Sequence, residues 1–159
     1  VDSKKLDPKI TENNCTAIRS NKIPLTLCMS ESTWATSRKL DRYHEYNFVS
    51  KKPTEIYAAL IPERAFIGGK LLREAILANA RSQASLEGVR VLRDSKRVLN
   101  GQVWNQIEYS MKVADTRFFL LNIYKSEKGK GTAQFLIFTA AESPEALIKV
   151  ADGVSIKFD

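Results

Sequence analysis

From Asn100 to Phe138 three runs of strand-forming residues follow one another with only short turns between them, and this limits the possible folds more than any other feature of the chain. Asn100-Gly101 is a hairpin signal, because both residues tolerate the positive φ that a tight turn requires. After it Val103, Ile107, Tyr109, Met111 and Val113 alternate with Trp104, Gln106, Glu108, Ser110 and Lys112, which predicts a half-buried strand. Ala114-Asp115-Thr116 reverses the chain into Phe118–Tyr124, apolar on both faces and so central in a sheet. Lys128-Gly129-Lys130-Gly131 reverses it again into Gln134–Phe138, also apolar on both faces. Parallel partners need a crossover of about a dozen residues. Turns this short therefore give an antiparallel meander.

The first half adds strands and one long helix. Ile23, Leu25, Leu27 and Met29 share one face of an alternating run, and Pro24 requires that run to start there or lie at an edge. Ser30–Arg38 reads as a loop anchored by Trp34. Tyr43–Val49 and Ile56–Ile61 flank a Pro53-containing turn and read as a hairpin, which Pro62 ends. After Gly68-Gly69, helix formers run from Lys70 to about Leu86. Leu72, Ile76, Ala80 and Ala84 advance by fours, with Leu71, Ala75 and Leu86 widening the stripe and Glu74, Asn79, Arg81 and Gln83 facing water. Gly88 supplies a stop, and Val89–Leu92 reads as a short strand. Ser143-Pro144-Glu145 predicts a capped helix with Leu147, Ile148 and Ala151 inward, ended by Gly153 before the extended Val154–Phe158. About seven strands and two helices, segregated in sequence, make an α+β chain. Residues 1–14 are polar and aperiodic and read as a flexible arm, with residues 15–159 a single α+β domain. Ile76 and Phe119 are expected in the core.

No apolar stretch approaches the roughly 18 residues of a membrane span. The formal charge of +7 would attract anions without regard to sequence. The bases are nevertheless scattered: Arg90, Arg93, Lys96 and Arg97 form the densest group, and Lys125, Lys128 and Lys130 another. Neither is a run of five or more like charges, so a solvated surface is expected and nucleic acid is not. Cys15 and Cys28 lack zinc-site spacing, and His44 is the one histidine. The two cysteines read as one disulfide formed in an oxidising compartment, Cys28 in a strand and Cys15 in the polar segment before it; two separate thiols are the alternative. The chain begins with Val1. A removed signal peptide would account for both that and a disulfide, and points to a periplasmic or secreted location.

The order of elements resembles the PsbP-like family, the fold of PsbP- and DcrB-type proteins. The residues that carry the likeness are the leading strand Ile23–Met29 followed by Trp34, the long helix Lys70–Leu86, and the turn and strand Asn100-Gly101-Gln102-Val103-Trp104. The last strand of the meander then runs into Phe138-Thr139-Ala140, and the closing segment is Val154-Ser155-Ile156-Lys157-Phe158, with Lys157 where the family usually has Ser. The resemblance implies an antiparallel sheet flanked by helices, an αβα sandwich, in proteins that act mostly by binding or assembly. It carries over no catalytic residue.

The residues themselves offer little chemistry. His44 neighbours Glu45 on a strand, where alternation sets the two on opposite faces. Gly68-Gly69-Lys70 fails as a phosphate loop, with Arg64 and Leu71 where Gly and Ser or Thr belong. Asp41, Glu45, Glu55 and Glu63 are candidate acid–base carboxylates that would have to meet in space. Trp34, Trp104, Phe118 and Tyr124 are candidates for a ligand groove, against the plainer reading of sheet packing. The expectation is therefore a non-enzymatic, exported protein that binds an unidentified protein partner in the bacterial cell envelope, with no catalytic residues, cofactor or metal. Contact with a membrane surface is left open by the charge. The alternative is a small-ligand or lipid carrier, with an apolar cavity between the long helix, through Leu72 and Ile76, and the sheet. A hydrolase would need a cleft that gathers His44 with carboxylates.

Overall fold

The computed structural model describes residues 15–30, 32–37, 44–50, 55–85, 88–140 and 144–159. The proposed arm at 1–14 and Asp41 lie outside them. Ten strands and two helices are present among the described residues. In chain order the strands are β1 (Cys15–Arg19), β2 (Leu25–Ser30), β3 (Trp34–Ser37), β4 (Tyr46–Ser50) and β5 (Tyr57–Glu63), then β6 (Val89–Leu99), β7 (Gln102–Val113), β8 (Thr116–Glu127), β9 (Gly131–Thr139) and β10 (Val154–Phe158). Helix α1 spans Gly69–Gln83 and α2 spans Glu145–Ala151. All pairings are antiparallel, in a seven-stranded sheet ordered β3-β4-β5-β9-β8-β7-β6 and a three-stranded sheet ordered β1-β2-β10.

The large sheet is covered differently on its two faces. On one, Leu72, Ile76, Leu77 and Ala80 of α1 pack on Ile107, Tyr109, Leu120 and Tyr124. On the other, Trp104, Leu121, Ile123, Phe135 and Ile137 meet Leu25, Leu27, Met29, Ile156 and Phe158 of the small sheet and Leu147 and Ala151 of α2. The expected helix-flanked sandwich is thus modified. A second sheet forms most of the other layer, and α2, seven residues long, joins it. Because Trp104 and its neighbours are buried by that layer, the middle of β7 is buried on both faces, beyond the half-burial that its polar residues suggested.

Several boundaries move for identifiable reasons. Trp34 opens strand β3 instead of sitting in a loop, paired with Ser50 and 4% exposed. Pro62 lies inside β5, paired with Ala133, at a point where β4 has already left the ladder, so its missing N–H deprives no partner. Pro24 precedes β2, which is central in its sheet. The short strand expected at Val89–Leu92 continues to Leu99 as an edge strand with a bulge between Val91 and Arg93. Its charges blunt the open edge and concealed the strand from a hydrophobicity reading. Helix α1 stops at Gln83, and its inward stripe is completed by Leu77; Leu71 and Ala75 are exposed. Pro144 is the N-cap of α2 with no side-chain cap bond, so the helix starts one residue later than expected; Ser143 is outside the described residues. Phe119 is half-buried.

The Asn-Gly turn and the closing strand, read separately in the sequence, lock together. Gln102 Nε2 donates to the Phe158 carbonyl at 2.9 Å, and the Phe158 N–H donates to Gln102 Oε1 at 3.0 Å. One side-chain amide thereby does what a further strand would do for β10. Asn100 Nδ2 donates to Ser155 Oγ beside it.

Cys15 and Cys28 are joined by a disulfide, with Cα atoms 5.6 Å apart. They are diagonal neighbours on the β1–β2 ladder, where Cys15 pairs with Ser30 and Ala17 with Cys28. Intact-mass spectrometry of unreduced protein is expected to read two hydrogens below the dithiol mass. Reduction is expected to lower stability by about 3 kcal/mol, the chain-entropy value for a loop of this size. Two alkylatable thiols in unreduced protein would contradict the pairing.

Candidate functional site

Helix α1 lies across β6, β7 and β8 and leaves the β9 and β5 part of the same face open. A groove of about 730 Å³ runs along that boundary. One wall is helical: Ala75, Asn79 and Gln83 recur every fourth residue, next to the buried stripe through Ile76. The floor comes from alternate residues of four strands, with Met111, Phe118, Leu120, Leu136 and Phe138 supplying most of its apolar surface. A floor of this kind gains free energy by shedding water against apolar matter, about 25 cal/mol per Å² covered.

A chain of uncharged polar groups crosses the floor. The Tyr109 hydroxyl donates to Asn122 Oδ1 at 2.6 Å, and Asn122 Nδ2 donates to Gln134 Oε1 at 2.9 Å. Burial pushes the Tyr109 phenol well above its ordinary value, so it stays protonated and keeps donating. Asn122 is 1% exposed, and its amide is satisfied on both sides within the sheet. Gln134, half-buried at the end of the chain, lines the groove.

His44 and Glu63 also line the groove. His44 Nδ1 is held by Asn47 Oδ1 at 3.0 Å, and no hydrogen bond or ion pair within 4.0 Å joins His44 to Glu63. The other carboxylates considered are elsewhere: Glu45 Oε2 accepts from the Asn21 N–H at 2.7 Å, and Glu55 accepts from the Tyr57 hydroxyl at 2.9 Å, which raises the Tyr57 pKa. Of the four aromatic candidates, Phe118 lines the groove and Tyr124 is buried beneath α1. Trp34 and Trp104 belong to the core on the opposite side of the sheet. Leu72 is buried in the helix–sheet contact and does not line the groove, whereas Ile76 does. Gly68 is the N-cap of α1 and Lys70 is exposed on its first turn. Among the described residues no group of three or more His, Cys, Asp and Glu is placed to hold a metal ion.

Sequence reasoning assigned Asn79 and Gln83 to solvent and gave Asn122 and Gln134 no role. The available signal was two amides facing the same way inside the two most apolar strands, since a buried amide requires a partner. A second depression, of about 430 Å³ at the β6–β7 turn, is lined by Arg97, Asn100, Asp152 and Ser155. Those groups already bond one another, Arg97 to Asp152 and Asn100 to Ser155, so the larger groove is the better candidate.

No family model and no curated protein sequence matches the chain. Solved structures do. LpqN of Mycobacterium tuberculosis, described as involved in cell envelope biogenesis, superposes with a TM-score of 0.61 at 13% identity, covering 94% of this chain and 99% of LpqN. The cyanobacterial PsbP protein of Synechocystis superposes with a TM-score of 0.52 at 15% identity, covering 93% of this chain and 95% of its own. At such low identity the shared property is the backbone arrangement, and fold by itself assigns no activity. Over nearly its whole length the chain has the PsbP-like fold.

Proposed function

We propose that this is an exported, non-enzymatic binding protein of the cell envelope, and that the groove beside α1 is where it binds. The observation that carries the reading is a 730 Å³ groove with an apolar floor and an uncharged hydrogen-bonded chain across it. Such a lining offers shape, apolar contact and a few orienting dipoles. The fold shared with an envelope-biogenesis protein and the Cys15–Cys28 disulfide support the location.

The groove favours one form of binding within that reading, the carriage of a lipid or other small apolar ligand. A macromolecular partner is the second form, with an apolar side chain of the partner seated in the same place. Titration with a pyrene-labelled fatty acid is expected to saturate at one per chain. Ala75→Trp, at an exposed position on the helical wall, is expected to weaken binding at least ten-fold while the circular dichroism and melting temperature hold. Absence of saturable binding, or binding indifferent to Ala75→Trp, would dismiss the carrier form. Recovery of a specific envelope protein, lost in the same variant, would then establish the second. Turnover of a nitrophenyl ester that disappears in His44→Ala would overturn the non-enzymatic reading altogether.

A further inference from the structure

On the face of the large sheet opposite the groove, the cations are unevenly neutralised. Register sets Arg93 opposite Glu108, Arg90 opposite Ser110, and Lys112 opposite Arg117. Residues 108, 110 and 112 alternate along one strand, so all four cations share one face. Lys112 and Arg117 are direct cross-strand neighbours, about 5 Å apart; Arg90 and Arg93 sit on successive rows of β6, about 7 Å apart along the ladder, with Arg90 diagonal to Lys112. All four are exposed. Among the described residues none makes an ion pair, and Arg117 donates to Ser110 Oγ at 3.1 Å. Arg97, further along the same strand, is by contrast held by Gln106 and by Asp152.

Two features show that this end of the sheet is not arranged for its own stability. Lys112 and Arg117 are directly cross-strand, a like-charge pairing that destabilises a ladder. Glu108, the carboxylate in these rows, keeps Oε2 buried without a partner. An apolar ring is interleaved with the cations: Phe119 sits half-buried beside Ser110, between the rows of Arg93 and Arg117.

We propose that this face docks on a membrane surface rich in anionic phospholipid, with the four cations against headgroup phosphates. Neither cavity described above includes any of the four cations, which are exposed along adjacent strands of the sheet. A flat array of point charges matches a field of laterally mobile anions better than one discrete anion. Each such cation strengthens attachment about five-fold, and interleaved apolar residues add to it. The surface lies on the other side of the sheet from the groove, so this inference does not depend on what the groove binds.

The test is co-sedimentation with vesicles of equal phosphatidylglycerol and phosphatidylcholine, compared with phosphatidylcholine alone. Binding is expected to the anionic vesicles and to weaken with salt. Replacing Arg90, Arg93, Lys112 and Arg117 together by Gln is expected to weaken it several hundred-fold, about five-fold per charge. Removing the same charge at exposed Lys70, Arg81, Lys128 and Lys157 is expected to cost less than ten-fold. If the first variant fails to fold, Arg93→Gln and Arg117→Gln alone each read the five-fold loss. No binding to anionic vesicles, equal losses in the two quadruple variants, or binding to a polyglutamate peptide in preference to vesicles would each overturn the proposal. Ala75→Trp is expected to leave vesicle binding unchanged.

Discussion

Trp104→Ala is expected to lower the unfolding free energy by about 3–5 kcal/mol, enough to threaten folding in a protein of ordinary marginal stability. Trp104 is 0% exposed, and its ring stacks on Phe158 at 5.6 Å between centroids and 15° between planes. Truncation therefore removes the largest fully buried side chain and strips the support from β10, which pairs with β2 and is clamped at its end by Gln102. Trp104→Phe separates shape from chemistry. The indole N–H has no hydrogen-bond partner, so the phenyl ring gives up no bond and is expected to cost about 1–2 kcal/mol. Urea denaturation of the three proteins checks both values. A loss below about 1 kcal/mol for the alanine variant would mean that β10 does not depend on this contact.

The turn, strand and closing Phe that make up this contact were visible in the sequence, and their contact was not. Alternation along β2 and β7, and short runs apolar on both faces in β8 and β9, exposed those strands because both patterns are short enough to read locally. The spacing of Leu72, Ile76 and Ala80 likewise located α1 and its inner face. What escaped was non-local. Strand β6 carries Arg90, Arg93, Asp94, Lys96 and Arg97, so no apolar pattern marks its length; it is a strand because β7 offers it a ladder. The order that inserts β9 between β5 and β8 brings Ile61, Gln134 and Asn122 to adjacent positions on one face, and with them the groove. The cavity between helix and sheet was one of two expected arrangements. Its polar chain was not anticipated, because an amide inside an apolar strand acquires meaning only when the strand beside it is known.

Gly131→Ala is expected to cost about 3–5 kcal/mol and to impair the groove in the molecules that still fold. Gly131 has φ +130°, and a Cβ built there would lie 2.4 Å from the Glu63 carbonyl oxygen and 2.9 Å from Ile23 Cγ2. The backbone strain and the overpacking each contribute on the order of 1–3 kcal/mol. Gly129→Ala is the control. It also has positive φ, at +79°, but nothing lies within 4 Å of its Cβ position, so about 1–2 kcal/mol of strain is all it should lose. The excess at Gly131 measures the close approach, which has a consequence for binding. The next residue, Thr132, accepts from the Ile67 N–H at 3.0 Å and donates to the Ala65 carbonyl at 2.8 Å, tying β9 to the connection that leads from β5 into α1. Pushing Glu63 away from Gly131 loosens that tie and shifts the helical wall against the floor. Fatty-acid affinity corrected for the folded fraction is therefore expected to fall several-fold in Gly131→Ala and to hold in Gly129→Ala. Equal affinities in the two variants would show that the groove is shaped by the helix–sheet packing of Leu72, Ile76, Leu77 and Ala80 alone.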